Sequence, residues 1–372
     1  MKKFFLLAVI SAFLVITGCS NQPKEEAKPA PAKAETKEAG KDIKAAFVYV
    51  GPVGDAGWTF AHDAGRKAMA ELPYVKETNF IESVPEGAES TRIITSLAQK
   101  GYNLIFTTSF GYMDPTLEVA SKFPEVAFMH CSGYKTSDNM GNYFGRMYQP
   151  RYLSGMVAGQ MTKSNIVGYV AAFPIPEVIR GINAFTLGVR AVNPEAVVKV
   201  IWTQTWFDPA KERDAAESLL DVKADVITMH QDTPAPLQAA EKRGAFAIGY
   251  NSVMQEQVPG AWLTAPVWNW KAIYNKAAEE VHNGTWKPEA IWWGMKEGLV
   301  DIAPMTDLVP AEAQAVVNEA KAKIVSGELV IFSGEIKDNK GNVAVEAGKA
   351  MTDGEMLGMN FFVEGVQGNI SN

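Results

Sequence analysis

The sequence predicts a bilobal α/β fold made of two doubly wound parallel sheets, and three observations support this prediction. The chain has 372 residues, and the part behind its N-terminal segment suits two lobes of about 150 residues each. Short, continuously apolar runs alternate with helix-like segments, which is typical of buried parallel strands with helices on both faces. The alternation occurs in two successive halves. In such folds, ligands bind between the lobes at the carboxyl ends of the strands.

The first lobe is predicted over residues 43–150. Its strands are expected at Ala45–Val50, Thr78–Val84, Leu104–Thr108 and Val126–His130. Its helices are expected from the glycine-rich turn after the first strand to about Leu72, then at Ser90–Lys100 and Pro115–Phe123. Because the strand runs are apolar along their whole length, both faces of this sheet should be covered by helices.

The second lobe is predicted over residues 151–265. Its strands are expected at Ile166–Ala171, Val197–Thr203, Val226–Met229 and Phe246–Ile248. Its helices are expected at Arg151–Met161, Glu177–Ala191, Ala210–Leu220 and Pro236–Arg243. Residues 266–372 should cross back and complete both lobes with terminal helices and a hairpin whose turn is Asp338–Asn342. Hinge crossovers are expected near residues 148–164 and 264–270 and in the C-terminal third, where Pro and Gly interrupt the pattern.

The N-terminal segment has the pattern of a lipoprotein signal peptide, predicted over residues 1–18. Lys2 and Lys3 precede the apolar run Phe4–Ile16, which is shorter than the roughly 20 residues that span a membrane. Ile16-Thr17-Gly18-Cys19 fits a lipobox, so Cys19 is expected to be lipidated and to become the first residue of the mature protein. The alternative is a plain signal peptide with an incidental Cys19. We therefore expect an extracytoplasmic protein anchored to the cell membrane, on the periplasmic side if the bacterium has two membranes.

A disordered tether is predicted to follow Cys19, so that residues 19–42 form the lipidated anchor and its spacer. Residues 20–42 contain no aromatic residue and no aliphatic residue larger than alanine, so they cannot bury enough apolar surface to fold. As a random coil they would span about 25 Å.

Charge and composition argue for a ligand-binding protein without catalytic or metal chemistry. The net charge of −7 argues against a nucleic-acid surface. Besides Cys19, the only cysteine is Cys131, so no disulfide is expected within the mature chain. The four histidines are far apart in sequence, and no metal-binding pair, nucleophile elbow or phosphate-binding loop is present. We expect no metal, no cofactor and no enzyme activity, and a monomeric protein.

The turns that follow the predicted strands combine aromatic with polar side chains. This mixture suits a flat heterocycle, with stacking on its faces and hydrogen bonds to its edges. Asp55 stands where a helix N-terminus would hold an anion, so a neutral or cationic ligand is expected. Asp208 is interpreted as a helix N-cap rather than a ligand contact. The candidate ligand-binding residues are Asp55, Trp58, Phe110, Tyr112, Asp114, Trp206, Phe207, Gln231, Asp232, Asn251 and Trp268. A packing role for Trp58 and a position of Trp268 outside the cleft remain open.

The chain resembles the basic membrane protein (BMP) family of lipoproteins, substrate-binding components of ABC importers for purine nucleosides and related compounds. The resemblance runs from the lipobox through Phe332–Ile336 to the tail Phe361–Gly368. Asp55–Thr59 matches the family's Asp-x-Ser-Phe-Asn motif, which implies that Trp58 stacks on the base. Thr205–Pro209 matches a second motif and implies the same role for Trp206. The resemblance implies a type I periplasmic-binding-protein-like fold and an ABC permease as partner.

Two departures from the family pattern bear on the ligand. The nucleoside binders hold ribose with an aspartate and a lysine, where this chain has Asn251 and Trp268. We therefore expect a free purine base such as adenine or hypoxanthine, sandwiched by two indoles at about 1–3 kcal/mol per face. Gln231, Asp232, Asn251 and Asp114 would bind the ring edge. The alternatives are a purine nucleoside, a flavin-like ring, a sensor that presents its ligand to a receptor, and an extracytoplasmic nucleoside-processing enzyme.

Overall fold

The computed structural model describes residues 40–370. The predicted signal peptide, Cys19 and most of the predicted tether lie outside the described residues. At the start of the described chain, the Lys41 amide donates to the His282 carbonyl (2.9 Å), and the Lys41 carbonyl lies 2.9 Å from His282 Nδ1. No helix among the described residues is long and apolar enough to cross a membrane.

Strands and helices alternate from the first described residues to the end of the second series. The first series is β1 (Ile43–Val48), α1 (Trp58–Ala70), β2 (Val75–Ile81), α2 (Ala88–Gln99), β3 (Leu104–Thr107), α3 (Met113–Ala120), β4 (Ala127–Cys131) and β5 (Met140–Gly145). The second is α4 (Tyr148–Met161), β6 (Ile166–Ala171), α5 (Pro176–Val192), β7 (Val197–Trp202), α6 (Pro209–Asp221), β8 (Val226–His230), α7 (Ala235–Lys242), β9 (Phe246–Ile248) and β10 (Trp262–Thr264).

The C-terminal part contains shorter elements that return to both series. They are β11 (Pro266–Trp268), α8 (Lys271–His282), β12 (Ala290–Trp293), β13 (Val300–Ile302), α9 (Ala311–Ser326), β14 (Ile336–Lys337), β15 (Val343–Val345), α10 (Asp353–Leu357) and β16 (Val366–Gln367). The turn Asp338–Asn342 lies between the antiparallel strands β14 and β15. The strands β11 and β13 pair antiparallel.

Two parallel sheets of six strands each form the lobes. The first has the order β12-β5-β4-β3-β1-β2, and the second has the order β10-β9-β8-β6-β7-β16. Every neighbouring pair within both sheets is parallel. The chain passes between the sheets from β5 to β6, from β10 to β12 and from β12 to β16. All strands of one sheet end at the same edge, and that is where the loops of the two lobes meet.

Helices cover both faces of each sheet. In the first lobe, α2 and α3 bury residues such as Ile94 and Val119 against one face. On the other face α1 contacts α8, whose Tyr274 packs against Phe47 and Phe106. In the second lobe, α4 packs on α5, and α6 packs on α7. This is the doubly wound arrangement that the apolar strands predicted.

Among the strands of the two series, three differ from the sequence prediction by two or more residues. The first strand, expected at 45–50, lies at 43–48. The second strand, expected at 78–84, lies at 75–81, because it pairs in register with β1 and ends before Ser83, whose φ is +54°. The strand β5 was not predicted, because Gly141, Asn142 and Gly145 interrupt its apolar run. All six of its residues are buried, since it lies between β4 and β12.

Candidate functional site

A cavity of about 340 Å³, including its mouth, lies between the carboxyl ends of the two sheets. The first lobe lines it with Val50, Trp58, Ser109, Phe110 and Ser132, and the second lobe lines it with Glu177, Trp206, His230, Asp232 and Tyr250. Each of these residues ends a strand or belongs to the segment that follows one. The cavity is therefore at the place that parallel-sheet topology predicts.

The ring of Trp58 is held rigidly at one wall of this cavity. It starts α1, and its Nε1–H donates to the carbonyl oxygen of Thr108 at 2.6 Å. His62, Trp268 and Trp270 pack edge-on against it, with ring centroids at 4.3, 5.7 and 5.6 Å. A side chain fixed in this way can stack on a flat ligand with little loss of rotamer freedom.

The second lobe supplies a further set of rings. Trp206 follows β7 and contacts Phe173 edge-on, with centroids 5.0 Å apart. The ring of His230, at the end of β8, lies 6.3 Å from Trp206 and 4.4 Å from Tyr250. The cavity therefore has an indole in each lobe, and the imidazole and phenol lie beside the second indole.

Asp232 is held by a chain of hydrogen bonds that begins at Trp268. The Trp268 Nε1–H donates to Asn251 Oδ1 (2.9 Å), and Asn251 Nδ2 donates to Asp232 Oδ1 (3.3 Å) and to the Gln231 carbonyl (3.4 Å). Burial, followed by the nearby charge of Asp55, raises the pKa of Asp232 well above its ordinary value. Asn251 and Trp268 thus orient a carboxyl group that lines the cavity.

Glu177 is a second carboxyl group in the lining. It lies in the first turn of α5, and its Oε1 is 3.5 Å from His230 Nε2. Burial raises its pKa from 4.5 to about 7, although the charges of Arg180 and Arg151 oppose this shift. Burial, followed by the same two arginines, lowers the pKa of His230 well below its ordinary value, so His230 is neutral.

The Asp55 carboxylate accepts hydrogen bonds from backbone amides at the start of α1. Its Oδ1 accepts hydrogen bonds from the amides of Gly57 (2.8 Å) and Phe60 (2.9 Å), and its Oδ2 accepts one from Thr59 (2.8 Å). Burial outweighs these bonds and raises its pKa from 3.8 to about 6. The structure thus places Asp55 at the helix N-terminus, outside the set of residues that line the cavity.

Four of the eleven predicted binding residues line the cavity, namely Trp58, Phe110, Trp206 and Asp232. Asp55, Asn251 and Trp268 lie directly behind it. Gln231 is fully buried and donates to Thr203 Oγ1 at 2.6 Å. The structure places the remaining three elsewhere: the Tyr112 hydroxyl donates to the Val84 carbonyl, Asp114 forms a surface ion pair with Lys135, and Phe207 is 38% exposed.

Six lining residues were not among the predicted ones: Val50, Ser109, Ser132, Glu177, His230 and Tyr250. Ser109, His230 and Tyr250 belong to segments that the sequence predicted to bind the ligand. Which side chain of such a segment faces the cavity depends on the conformation of its backbone, and the sequence does not show this. Ser132 follows β4 with φ +66°, which the sequence did not indicate. Glu177 looks in sequence like an ordinary acidic residue in the first turn of a helix.

The two lobes are in contact around the cavity. Ser252 Oγ donates to the Ala56 carbonyl, and a Cβ added to Gly57 would overlap the carbonyl group of Asp232. On another side, Arg146 binds Asp353 through two parallel bonds of 2.8 and 2.6 Å. Asp353 belongs to α10, which packs on α5 of the second lobe. Such bidentate pairs fix geometry as well as adding energy.

A larger cavity of about 1050 Å³ adjoins the first and shares Phe110, Ser132 and Glu177 with it. It extends past Arg180 and Trp292 towards α10. The described residues contain no cluster of three or more His, Cys, Asp or Glu that could hold a metal ion.

The chain matches known proteins along most of its length. The model of the Bmp family, described as PnrA-like ABC transporter substrate-binding proteins, matches residues 42–337. A purine-binding protein of Brucella abortus (strain 2308) is 49% identical over 329 residues, which are 88% of this chain and 94% of that protein. A putative ABC transporter glucose-binding protein of Haloferax volcanii is 40% identical over 331 residues, 89% of this chain and 82% of that protein.

Solved structures support the fold. An ABC transporter solute-binding protein from Aeropyrum pernix K1 superimposes with a TM-score of 0.68 at 20% identity, covering 80% of this chain and 93% of that one. At this identity the likeness concerns the fold alone. It confirms the predicted bilobal architecture of the type I periplasmic-binding-protein class.

Proposed function

The chain belongs to the Bmp family of PnrA-like ABC transporter substrate-binding proteins, and from this premise we propose that it captures a free purine base, such as adenine or hypoxanthine, in the cavity between its lobes. The family consists of transport proteins rather than enzymes, so the ligand is bound extracytoplasmically and handed to a membrane permease. The observation that carries the proposal is the pair of indoles, Trp58 and Trp206, which line one small cavity from opposite lobes.

The lining chemistry supports a flat nitrogen heterocycle. Stacking of a base on an aromatic side chain contributes about 1–3 kcal/mol, and the two indoles offer two such surfaces. The carboxyl groups of Asp232 and Glu177 and the hydroxyls of Ser109 and Ser132 provide hydrogen-bonding groups for the ring edge. The 49% identical relative is named for purine binding, which fits this lining.

The hydrogen bonds of Asn251 and Trp268 favour a base over a nucleoside. The side chain of Asn251 is engaged on both its oxygen and its nitrogen, and Trp268 binds that oxygen. Neither residue lines the cavity, so neither would contact ribose hydroxyls of a ligand bound there.

A purine nucleoside is the second candidate, because the adjoining cavity of about 1050 Å³ provides space for a substituent on the base. Glucose is a further ligand to test, since the 40% identical relative is named for it. A sugar would leave the indole faces without a planar partner.

The remaining parts of the proposal concern the setting of the protein. We propose that Cys19 carries the lipid that holds the protein at the outer face of the cell membrane, and that the protein works as a monomer. The ligand stabilises the closed arrangement through its greater affinity for that state, and the permease recognises the closed form. Presentation to a signalling receptor is the alternative, and it requires the same binding step.

Titration calorimetry of the full chain in detergent, unfolded and refolded to remove carried-over ligand, tests this function. Adenine, hypoxanthine, adenosine, inosine and glucose form the panel. We expect a base to bind most tightly, and Trp206→Ala to weaken that binding by about 5- to 150-fold, the equivalent of one stacking contact. Trp286→Ala is the matched control, since Trp286 is also partly buried but lies outside the cavity.

The panel separates the candidates. Tighter binding of a nucleoside would keep the transporter family and replace the base as ligand. Preference for glucose, with no heat from any purine, would contradict the purine proposal. Equal losses in the Trp206 and Trp286 variants would remove Trp206 from the site.

A further inference from the structure

Two carboxyl groups and several hydroxyl groups form the polar part of the cavity lining. Among the described residues that line it, Glu177 and Asp232 are the ionisable acids, and none is a lysine or an arginine. A buried acidic pocket without a lining cation opposes an anionic ligand, because the repulsion is barely screened there.

The nearest cations, Arg151 and Arg180, do not line this cavity. The guanidinium of Arg151 lies 3.8 Å above the ring of Tyr250, and its Nη1 donates to the Met229 carbonyl at 2.8 Å. Arg180 donates to the Met356 carbonyl at 2.7 Å. Both arginines line a neighbouring void together with Glu177 and His230. They therefore favour ionisation of Glu177 from outside the lining of this cavity, and Arg180 also lines the adjoining larger cavity.

Two polar atoms of the lining have no partner in the described part of the chain, His230 Nδ1 and the Tyr250 hydroxyl. His230 is 5% exposed and Tyr250 is 1% exposed, so bulk water can hardly replace the missing hydrogen-bond partners. Buried polar groups in native structures are nearly always paired, so these two atoms can serve as partners for a ligand in the cavity. His230 Nε2 faces Glu177 Oε1 at 3.5 Å. When the neutral ring of His230 carries its proton on Nε2, facing Glu177, its Nδ1 has a free lone pair and accepts a hydrogen bond.

Resting on the proposed function, we infer that Glu177 and His230 form a hydrogen-bond-accepting edge that selects purines with an exocyclic amino group and rejects purines that are anions. At pH 8, above the raised pKa of Glu177, its carboxylate accepts hydrogen bonds and cannot donate them. An amino group of adenine donates to such an edge, whereas the 6-oxo group of hypoxanthine would place an acceptor against acceptors. A urate anion would add a negative charge beside two buried carboxyl groups.

The test is a comparison of dissociation constants for adenine, hypoxanthine and urate at pH 8, measured by calorimetry on the full chain in detergent. We expect adenine to bind at least about tenfold more tightly than hypoxanthine, since an unpaired buried polar group costs about 1–3 kcal/mol. Urate should give no measurable heat. In Glu177→Gln the side-chain amide can also donate a hydrogen bond, so hypoxanthine should bind more tightly than it does to the wild type. The ratio of the hypoxanthine to the adenine dissociation constant should then fall towards one.

Glu212→Gln is the matched control. Glu212 is also buried in the second lobe and also has a pKa of about 7, but it accepts from the Asp208 amide and the Thr233 hydroxyl rather than lining the cavity. We expect it to leave the adenine-to-hypoxanthine ratio unchanged.

The outcomes separate this inference from the function on which it rests. If purines bind but the wild type prefers hypoxanthine or urate, the accepting edge is overturned and the purine function remains. An unchanged ratio in a folded Glu177→Gln variant also overturns it. If no purine binds the wild type, both proposals fail. If the Glu177→Gln variant does not fold, the comparison of adenine, hypoxanthine and urate on the wild type still tests the accepting edge.

Discussion

The side chain of Trp268 lies behind the cavity and reaches it through two hydrogen bonds in series. It is 9% exposed and stacks on Trp270 with ring centroids 4.3 Å apart. Its Nε1–H fixes the oxygen of Asn251, so the amide nitrogen of Asn251 is directed towards Gln231 and Asp232. The same indole packs edge-on against Trp58. One residue outside the cavity thus holds both a stacking ring and a carboxyl group in place.

Replacing Trp268 by phenylalanine should weaken ligand binding, because Asn251 loses the donor that orients it. The loss of one hydrogen bond of about 1 kcal/mol corresponds to about a fivefold rise in the dissociation constant. Trp270→Phe is the control, since Trp270 Nε1 has no partner among the described residues and this change removes packing only. Calorimetry with the best ligand of the panel gives the comparison. Equal effects of the two variants would show that packing, and not the hydrogen bond, matters.

At the scale of elements, the starts of the helices fix the loops that line the cavity. The helix α6 begins behind Trp206, and the Asp208 carboxylate accepts from the amides of Ala210 and Lys211, both at 3.1 Å. This confirms the interpretation of Asp208 as an N-cap. Pro209 at the first helical position suits the same role, because its missing N–H needs no partner there.

Asp208→Ala should lower the free energy of unfolding by about 0.5–2 kcal/mol, the usual cost of removing an N-cap. Ligand affinity should stay unchanged, because Asp208 is outside the cavity lining. Urea unfolding measures the first quantity and calorimetry the second. Asp208→Asn keeps a capping oxygen and should restore most of the stability. A large loss of affinity at full stability would instead make Asp208 a ligand contact.

At the scale of the whole molecule, function depends on the approach of two lobes. Gly57, in the loop after β1, lies directly against the backbone of Asp232 in the other lobe. A Cβ at this position would overlap the carbonyl group of Asp232, so the space between the lobes requires a glycine here. The lobes can meet here only because position 57 has no side chain.

Gly57→Ala should prevent full closure, since the added methyl group would overlap the Asp232 carbonyl group. We expect at least about a tenfold loss of ligand affinity, because one of the lobes must shift from its place. Small-angle scattering should show that saturating ligand compacts the wild type but not the variant. Gly54→Ala is the control, because a Cβ there meets nothing within 4 Å. Tight binding by Gly57→Ala would show that the ligand does not need this contact.

Local sequence patterns determined the architecture and the position of the site. Apolar runs such as Phe246–Ile248 became parallel strands at the predicted place, because strands buried on both faces must be apolar throughout. The loops that end these strands line the cavity, as topology requires. Trp58 and Trp206 were identified because large aromatic residues in polar turns are conspicuous.

The tertiary structure alone decided which side chains of those loops meet. Glu177, His230 and Tyr250 follow three different strands. Their side chains come close together only when the sheet sets the order of these strands and the lobes approach each other. The glycines and the asparagine of β5 interrupt its apolar pattern, so this strand was not predicted from the sequence. It forms because β4 and β12 pair with its two edges. Likewise the sequence offered Asn251 as a binding residue and left open whether Trp268 lies in the cleft, and packing placed both residues one layer behind the cavity. A pattern along the chain records burial and backbone preference, whereas the direction of a single side chain depends on neighbours that are distant in sequence.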